Sequence, residues 1–164
     1  AIALKDKDKW VRANAAEALW KIGPKAEKAI PALIQALKDK DKDVCGIAAL
    51  TLGKIGRHAD MSDHGPAKAE KAVPALIEAL KDKDEDVRYN VNFSLVDIGP
   101  KAVPALIEAL KDKEELARES AAIVLGEMSP KAEKAVPALS EALKDKNKYV
   151  RKAAKEALEK IQKK

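Results

Sequence analysis

Residues 71–88 read KAVPALIEALKDKDEDVR, and the rest of the chain consists of copies, truncations and departures of this stretch. The motif AxPALxxALKDK recurs at 29–40, 72–83, 102–113 and 135–146, and a broken form, AIALKDKD, opens the sequence. A unit of roughly 30 to 40 residues cannot bury an apolar face alone and does so by stacking on its neighbours. The period therefore predicts a solenoid whose core is a thin slab continued from unit to unit.

Within a unit, Val73, Leu76, Ile77 and Leu80 follow the i, i+3, i+4, i+7 spacing of one helical face. Pro74 lacks an N–H and is compatible only with an opening turn or a kink of that first helix. The polar KDKDED run is a tight connection, with Asp84 or Asp86 available to cap the next helix. VRxxAAxALGxIGP is then a second helix, with small residues where helices approach closely and a Gly-Pro stop. One antiparallel pair per unit, the first truncated, predicts ten helical segments and no strand. The unit after Pro100 reads PKAVPAL where others read PKAEKAVPAL or nearly so, a loss of about one helical turn.

Apolar residues make up 46% of the 164 positions and charged residues 36%, a composition that excludes disorder and a membrane span. The longest weakly polar run, VCGIAALTLG, covers about half a bilayer. No charged-then-apolar leader opens the chain, and a lone Cys45 cannot form an internal disulfide, so a reducing cytoplasmic setting is the default expectation. The net charge of +5 is spread through KDKD turns in which both signs alternate.

The run DxxVRxxAAxALGxIGP followed by AVPALIEAL resembles the HEAT-like repeat family, in the variety first noted in phycobilisome lyases. That resemblance implies an all-α, right-handed superhelical α-solenoid of antiparallel helix pairs. Its second helices would line a concave face that binds proteins and occasionally nucleic acid. It also implies a ladder of Asp and Arg between repeats, matched here by Asp8 and Arg12, Asp84 and Arg88, and the variants Glu114 with Arg118 and Asn147 with Arg151. Residues 1–164 divide into a truncated unit at 1–24, then 25–66 with a loop insertion at 57–66, 67–100, 101–130, and a capping unit at 131–164. The near-identity of the copies is that of a consensus-like or engineered array.

Because the copies agree so closely, their disagreements carry the functional information. On each second helix the positions equivalent to 85, 86, 89, 90, 93 and 97 form one stripe, the one the family turns inward. In the central units it holds Ile47, Leu50, Tyr89, Phe93, Leu116 and Ile123, with Asp43, Asp86, Asn90 and Glu119 around them. An apolar patch with a polar rim is an interaction surface. The leading expectation is a non-catalytic scaffold for a protein or peptide, with no cofactor and no membrane. Acidic residues slightly outnumber basic ones along the stripe, which argues against nucleic acid there. Trp20, which replaces a Gly of the repeat, reads as a packing residue; Tyr89 and Phe93 read as binding residues.

Cys45 replaces a ladder arginine, and Thr51, Asn92 and Ser94 replace small packing alanines. Four polar departures in two adjacent units point to selection or engineering of a site, and the alternative function is a small-molecule or catalytic site around Cys45, Tyr89, Asn92 and Phe93. The helix dipole and the ladder arginines would favour a Cys45 thiolate, against the simpler reading of a thiol filling an arginine's place. Its base would have to be His58, roughly 20 Å away along the helix, or His64. His58, Asp60 and His64 form a weak metal-ligand pattern in a loop that more plainly contacts a partner at one edge. No Gly-rich phosphate loop, Ser-His-Asp order or paired-Cys zinc spacing occurs.

Overall fold

In the computed structural model, residues 2–57 and 70–163 are described, and among them all regular structure is helical. A 3₁₀ turn at Ile2–Lys5 stands where the truncated first helix is expected. Nine α-helices follow: α1 (Lys9–Ile22), α2 (Ile30–Ala36), α3 (Lys42–Arg57), α4 (Val73–Ala79), α5 (Glu85–Ile98), α6 (Val103–Ala109), α7 (Glu115–Glu127), α8 (Val136–Ala142) and α9 (Lys148–Gln162). With the opening turn, the ten expected segments are found among the described residues. The odd-numbered second helices stack on one another, and each short first helix packs on the second helix of its own unit.

The prolines explain the shape of the first helices. Pro31, Pro74, Pro104 and Pro137 each sit in the first two positions of an α-helix, preceded by a 3₁₀ turn ending in Ala29, Ala72, Ala102 or Ala135. The ring needs no hydrogen-bond partner there, so each first helix accommodates its proline at the passage from 3₁₀ turn to α-helix. The second helices stop at Gly23 and Gly99, whose φ of 65° and 77° only glycine adopts cheaply. Asp8, Asp84 and Asn147 cap the starts of α1, α5 and α9 by accepting from N–H groups of the first turn. Between the two candidates in the third unit, Asp84 is the cap and Asp86 donates its N–H to it.

Two glycines set how closely the second helices approach. A Cβ on Gly53 would lie 2.6 Å from Ser94 Cα, and one on Gly126 2.9 Å from Ala157 Cα. At the α5–α7 junction the equivalent positions hold Val96 and Val124, and these two helices pack less extensively than α3 on α5 or α7 on α9. Around these contacts the core is a continuous row of aliphatic side chains, with Leu33, Leu52, Leu76, Leu95, Leu106, Leu125 and Leu139 fully buried.

The ladder exists with different partners from those the family pattern implied. Arg12 forks onto Asp39 of the following unit, Nε to Oδ2 at 2.6 Å and Nη2 to Oδ1 at 2.8 Å. Its Nη1 donates to the carbonyls of Asp6 and Lys7. Arg118 repeats this with Asp145, at 2.7 and 3.0 Å, and with the carbonyls of Asp112 and Lys113. Asp8, Asp84 and Asn147 are therefore caps, and the paired acid comes from the next unit's turn.

Arg88 donates only to its own turn, at Asp82 O and Lys83 O. The acid equivalent to Asp39 and Asp145 is Asp112, which follows Arg88 three residues sooner than in the other pairs and is held instead by Lys81 at 3.0 Å. The missing turn after Pro100 has cost this junction its rung.

The Arg118 guanidinium holds the Asp145 carboxyl below the usual carboxylate range. A carboxyl depressed in the folded state contributes stability above its unfolded pKa and loses it as pH falls toward the folded value. Asp145→Asn should therefore lower stability near neutral pH by about 2 kcal/mol, the scale of a hydrogen bond to a charged group. The difference from the parent should shrink as pH falls below about 4, as read by urea denaturation at a series of pH values.

Candidate functional site on the second helices

Every residue proposed for the stripe is at least partly accessible. Tyr89 is 70% exposed, Phe93 47% and Ile123 39%. Asp43 and Asp86 are also exposed, whereas Ile47, Leu50, Asn90 and Leu116 are half-buried between neighbouring helices. Tyr89 and Phe93 are one turn apart on α5, so their rings share one face. Neither belongs to the buried slab.

The structure adds residues to this set. A hollow of about 310 Å³ opens across α1, α3 and α5, lined by Trp10, Asn14, Glu17, Asp41, Lys42, Asp43, Ile47, Asp86 and Asn90 among others. It brings together Asp43, Ile47, Asp86 and Asn90 as expected, and joins to them Trp10, which is 64% exposed. Trp10 and Asn14 occupy the positions of the same stripe in the first unit. Lys42 crosses the mouth of the hollow, 2.9 Å from Asp86 and 3.3 Å from Asp84. Its ammonium is stabilised, chiefly by Asp86 and Asp84, and its pKa is raised. At the other side of the patch burial pushes the Glu119 carboxyl up, Arg88 opposes this, and Glu115 and Glu85 add to it.

Trp20, expected to be a packing residue, is 40% exposed and outside the buried slab; its ring is instead covered by Lys54, whose Nζ lies 3.9 Å from the centroid and links α3 to α1. Thr51 and Ser94 are also absorbed by the scaffold. Thr51 Oγ1 donates to Ile47 O at 2.7 Å with Ala16 O at 3.3 Å, and Ser94 Oγ donates to Asn90 O at 2.6 Å. Asn92 differs, because its Oδ1 is buried with no hydrogen-bond partner.

Cys45 takes the simpler of its two readings. A thiolate is not favoured: burial, followed by the charges of Asp82 and Asp39, pushes the thiol up to about 11. The ladder arginines are consumed by their own partners, and the thiol donates to Asp39 O at 3.0 Å. Cys45 is thus a buried neutral thiol in an arginine's place. His58, Asp60 and His64 lie outside the described residues, among which no group of three or more His, Cys, Asp or Glu side chains is arranged to hold a metal. No described helix is long and apolar enough to cross a membrane.

The model of the family described as HEAT repeats matches residues 1–64 and 73–159. The chain belongs to that family. Among solved structures, one described as an engineered protein is 26% identical, with a TM-score of 0.57 over 98% of this chain and 76% of that one. A chain from the complex of CpcE and CpcF of phycocyanin lyase from Nostoc sp. PCC7120 is 27% identical, with a TM-score of 0.61 over 99% of this chain and 64% of that one. A chain from a study of microtubule plus end tracking by XMAP215, CLIP-170 and EB1 is 20% identical, with a TM-score of 0.77 over 98% and 76%. No curated protein matches the sequence.

Two outcomes follow from the polar departures. Cys45 should react with an aromatic disulfide at pH 7 far more slowly in the folded protein than in urea, its thiolate fraction being on the order of a hundredfold smaller; equal rates would contradict the burial argument. Asn92→Ala should raise stability by about 1 kcal/mol, because it removes a buried acceptor that has no donor, and a loss in urea denaturation would make Asn92 part of the scaffold.

Proposed function

We propose that the chain is a non-catalytic binding scaffold whose concave second-helix face presents an apolar, acid-rimmed patch to a protein or peptide. Tyr89, Phe93 and Ile123 form its centre, Ile47, Leu50 and Leu116 its floor, and Asp43, Asp86, Asn90 and Glu119 its rim. The exposure of Tyr89 and Phe93 side by side on one helix carries this reading. Exposed aromatics flanked by polar groups are what a desolvated interface centre requires, and neither ring is part of the buried slab.

The acidic rim supports a partner with basic groups around an apolar segment, and disfavours nucleic acid on this face. The CpcE–CpcF relative, whose structure is of a complex between two proteins, agrees with protein recognition. The lone buried thiol suits a reducing, cytoplasmic setting. The regularity of the units and the engineered neighbour support an engineered or consensus-like origin. The competing catalytic reading loses its nucleophile with the raised thiol of Cys45.

Peptides selected on the folded protein from a random display library test this reading. Tyr89→Ala and Phe93→Ala should each weaken binding of a selected peptide by roughly thirtyfold, the measure of a hot spot of about 2 kcal/mol. Glu156→Ala and Lys160→Ala should leave it unchanged, with the stability of every variant checked first. Selected peptides that ignore Tyr89 and Phe93 but are lost on changing exposed residues of the first helices would place recognition on the opposite face.

A further inference from the structure

The second unit keeps the cradle of a ladder arginine but has no arginine to fill it. In every other unit the arginine donates through Nη1 to the carbonyls six and five residues before it: Asp6 and Lys7, Asp82 and Lys83, Asp112 and Lys113, Asp145 and Lys146. Where the rung is complete, the acid of the following unit receives the remaining two donors. At Cys45 the equivalent carbonyls are those of Asp39 and Lys40, and the equivalent acid is Asp82. The thiol reaches only Asp39 O. The remaining space is a solvent-open hollow of about 630 Å³ lined by Asp39, Lys40, Cys45, Asp82, Asp84 and Val87 among others.

The cradle is also oriented. Asp82 Oδ1 accepts the N–H of Asp84 at 2.9 Å. Asp39 and Asp145 accept from Asp41 and Asn147 in the same way while each holds a guanidinium. Among the described residues Asp82 has no cationic partner, since the nearby Lys42 is engaged by Asp84 and Asp86. Asp39, Asp41, Asp82 and Asp84 line the hollow together with Lys40, Lys42 and Lys83. None of the chain's own arginines is spare: Arg57 is paired with Asp97, and the other four occupy their own cradles.

We propose that this hollow is a receptor for a guanidinium group, and that its occupant is an arginine side chain of a partner polypeptide. Two occupied copies of the cradle, at Arg12 and Arg118, display the geometry it would take. A planar fork satisfies a carboxylate and a carbonyl together, which a lysine ammonium does not reproduce. This site lies in the turns, apart from the aromatic patch, and does not depend on that patch being a binding surface.

The test is an NMR titration of the ¹⁵N-labelled full chain with Nα-acetyl-arginine N-methylamide. The neutral citrulline analogue and the lysine analogue serve as controls. The expected result is saturable shifts of the Lys40, Asp82 and Asp84 amides, with a Kd on the order of millimolar and at least tenfold weaker for citrulline and lysine. Asp82→Asn should weaken the arginine response at least fivefold. Cys45→Arg should abolish it and raise the melting temperature, because the tethered guanidinium fills the cradle. Equal responses to arginine and citrulline, or to arginine and lysine, would overturn the proposal. So would the absence of a saturable response, an unchanged one in Asp82→Asn, or an unchanged one in folded Cys45→Arg. If Cys45→Arg does not fold, the citrulline comparison and Asp82→Asn decide alone. The probe carries no apolar anchor, so its failure would leave the aromatic patch untouched.

Discussion

How near two second helices can come to one another is the constraint on which the array rests. Where a glycine faces a small residue, as Gly53 faces Ser94 and Gly126 faces Ala157, the backbones nearly touch, and leucines from both layers close over the contact. Close packing at this density brings many weak dispersion contacts at once. The ladder is set separately, by the spacing from each arginine to the next unit's turn: a complete rung joins α1 to the second unit although Trp20 stands at the glycine position there. Where the small residues are lost, at Val96 and Val124, the helices separate, and the same junction contains the unpaired Asn92 Oδ1 and the rungless Arg88. Looser packing and a lost rung meet at this junction, but the second follows from the turn deleted after Pro100, since the rung at Cys45 is also missing where the helices pack closely.

Much of this was legible in the sequence because repeats provide their own control. The helix pairs follow from the spacing of Val73, Leu76, Ile77 and Leu80, and the start of each α-helical first segment from a proline in its opening turn. The exposure of Tyr89 and Phe93 follows from their phase on α5. The pairing of the ladder was less legible. Asp8 and Asp84 sit four residues before an arginine, a spacing that suits an ion pair as well as a cap, and only the packed turns show that the acid comes from Asp39 or Asp145.

The departures from the repeat were the hardest to read. Thr51 and Ser94 looked like parts of a site, yet each hydroxyl is satisfied by a carbonyl of its own helix. The electrostatics of Cys45 misled for a related reason. The neighbouring ladder arginines are engaged by an acid or by carbonyls of their own turns, and the thiol is buried beside Asp82 and Asp39, so burial and then these charges raise it. The hollow lined by Trp10 and Asn14 is not legible in any single unit, because it takes three helices to form it.

The ladder has a direction, and this limits how the units can be rearranged. Each complete rung takes its arginine from one unit and its carboxylate from the unit that follows, 27 positions on in both cases. A unit is therefore completed by its successor and not by its predecessor, as a word is constrained by the one after it. Units that look interchangeable by composition obey a syntax: deleting one turn, as after Pro100, leaves the preceding arginine without its object. Reordering or inserting copies in such an array conserves its rungs only when the spacing from each arginine to the next unit's turn travels with it.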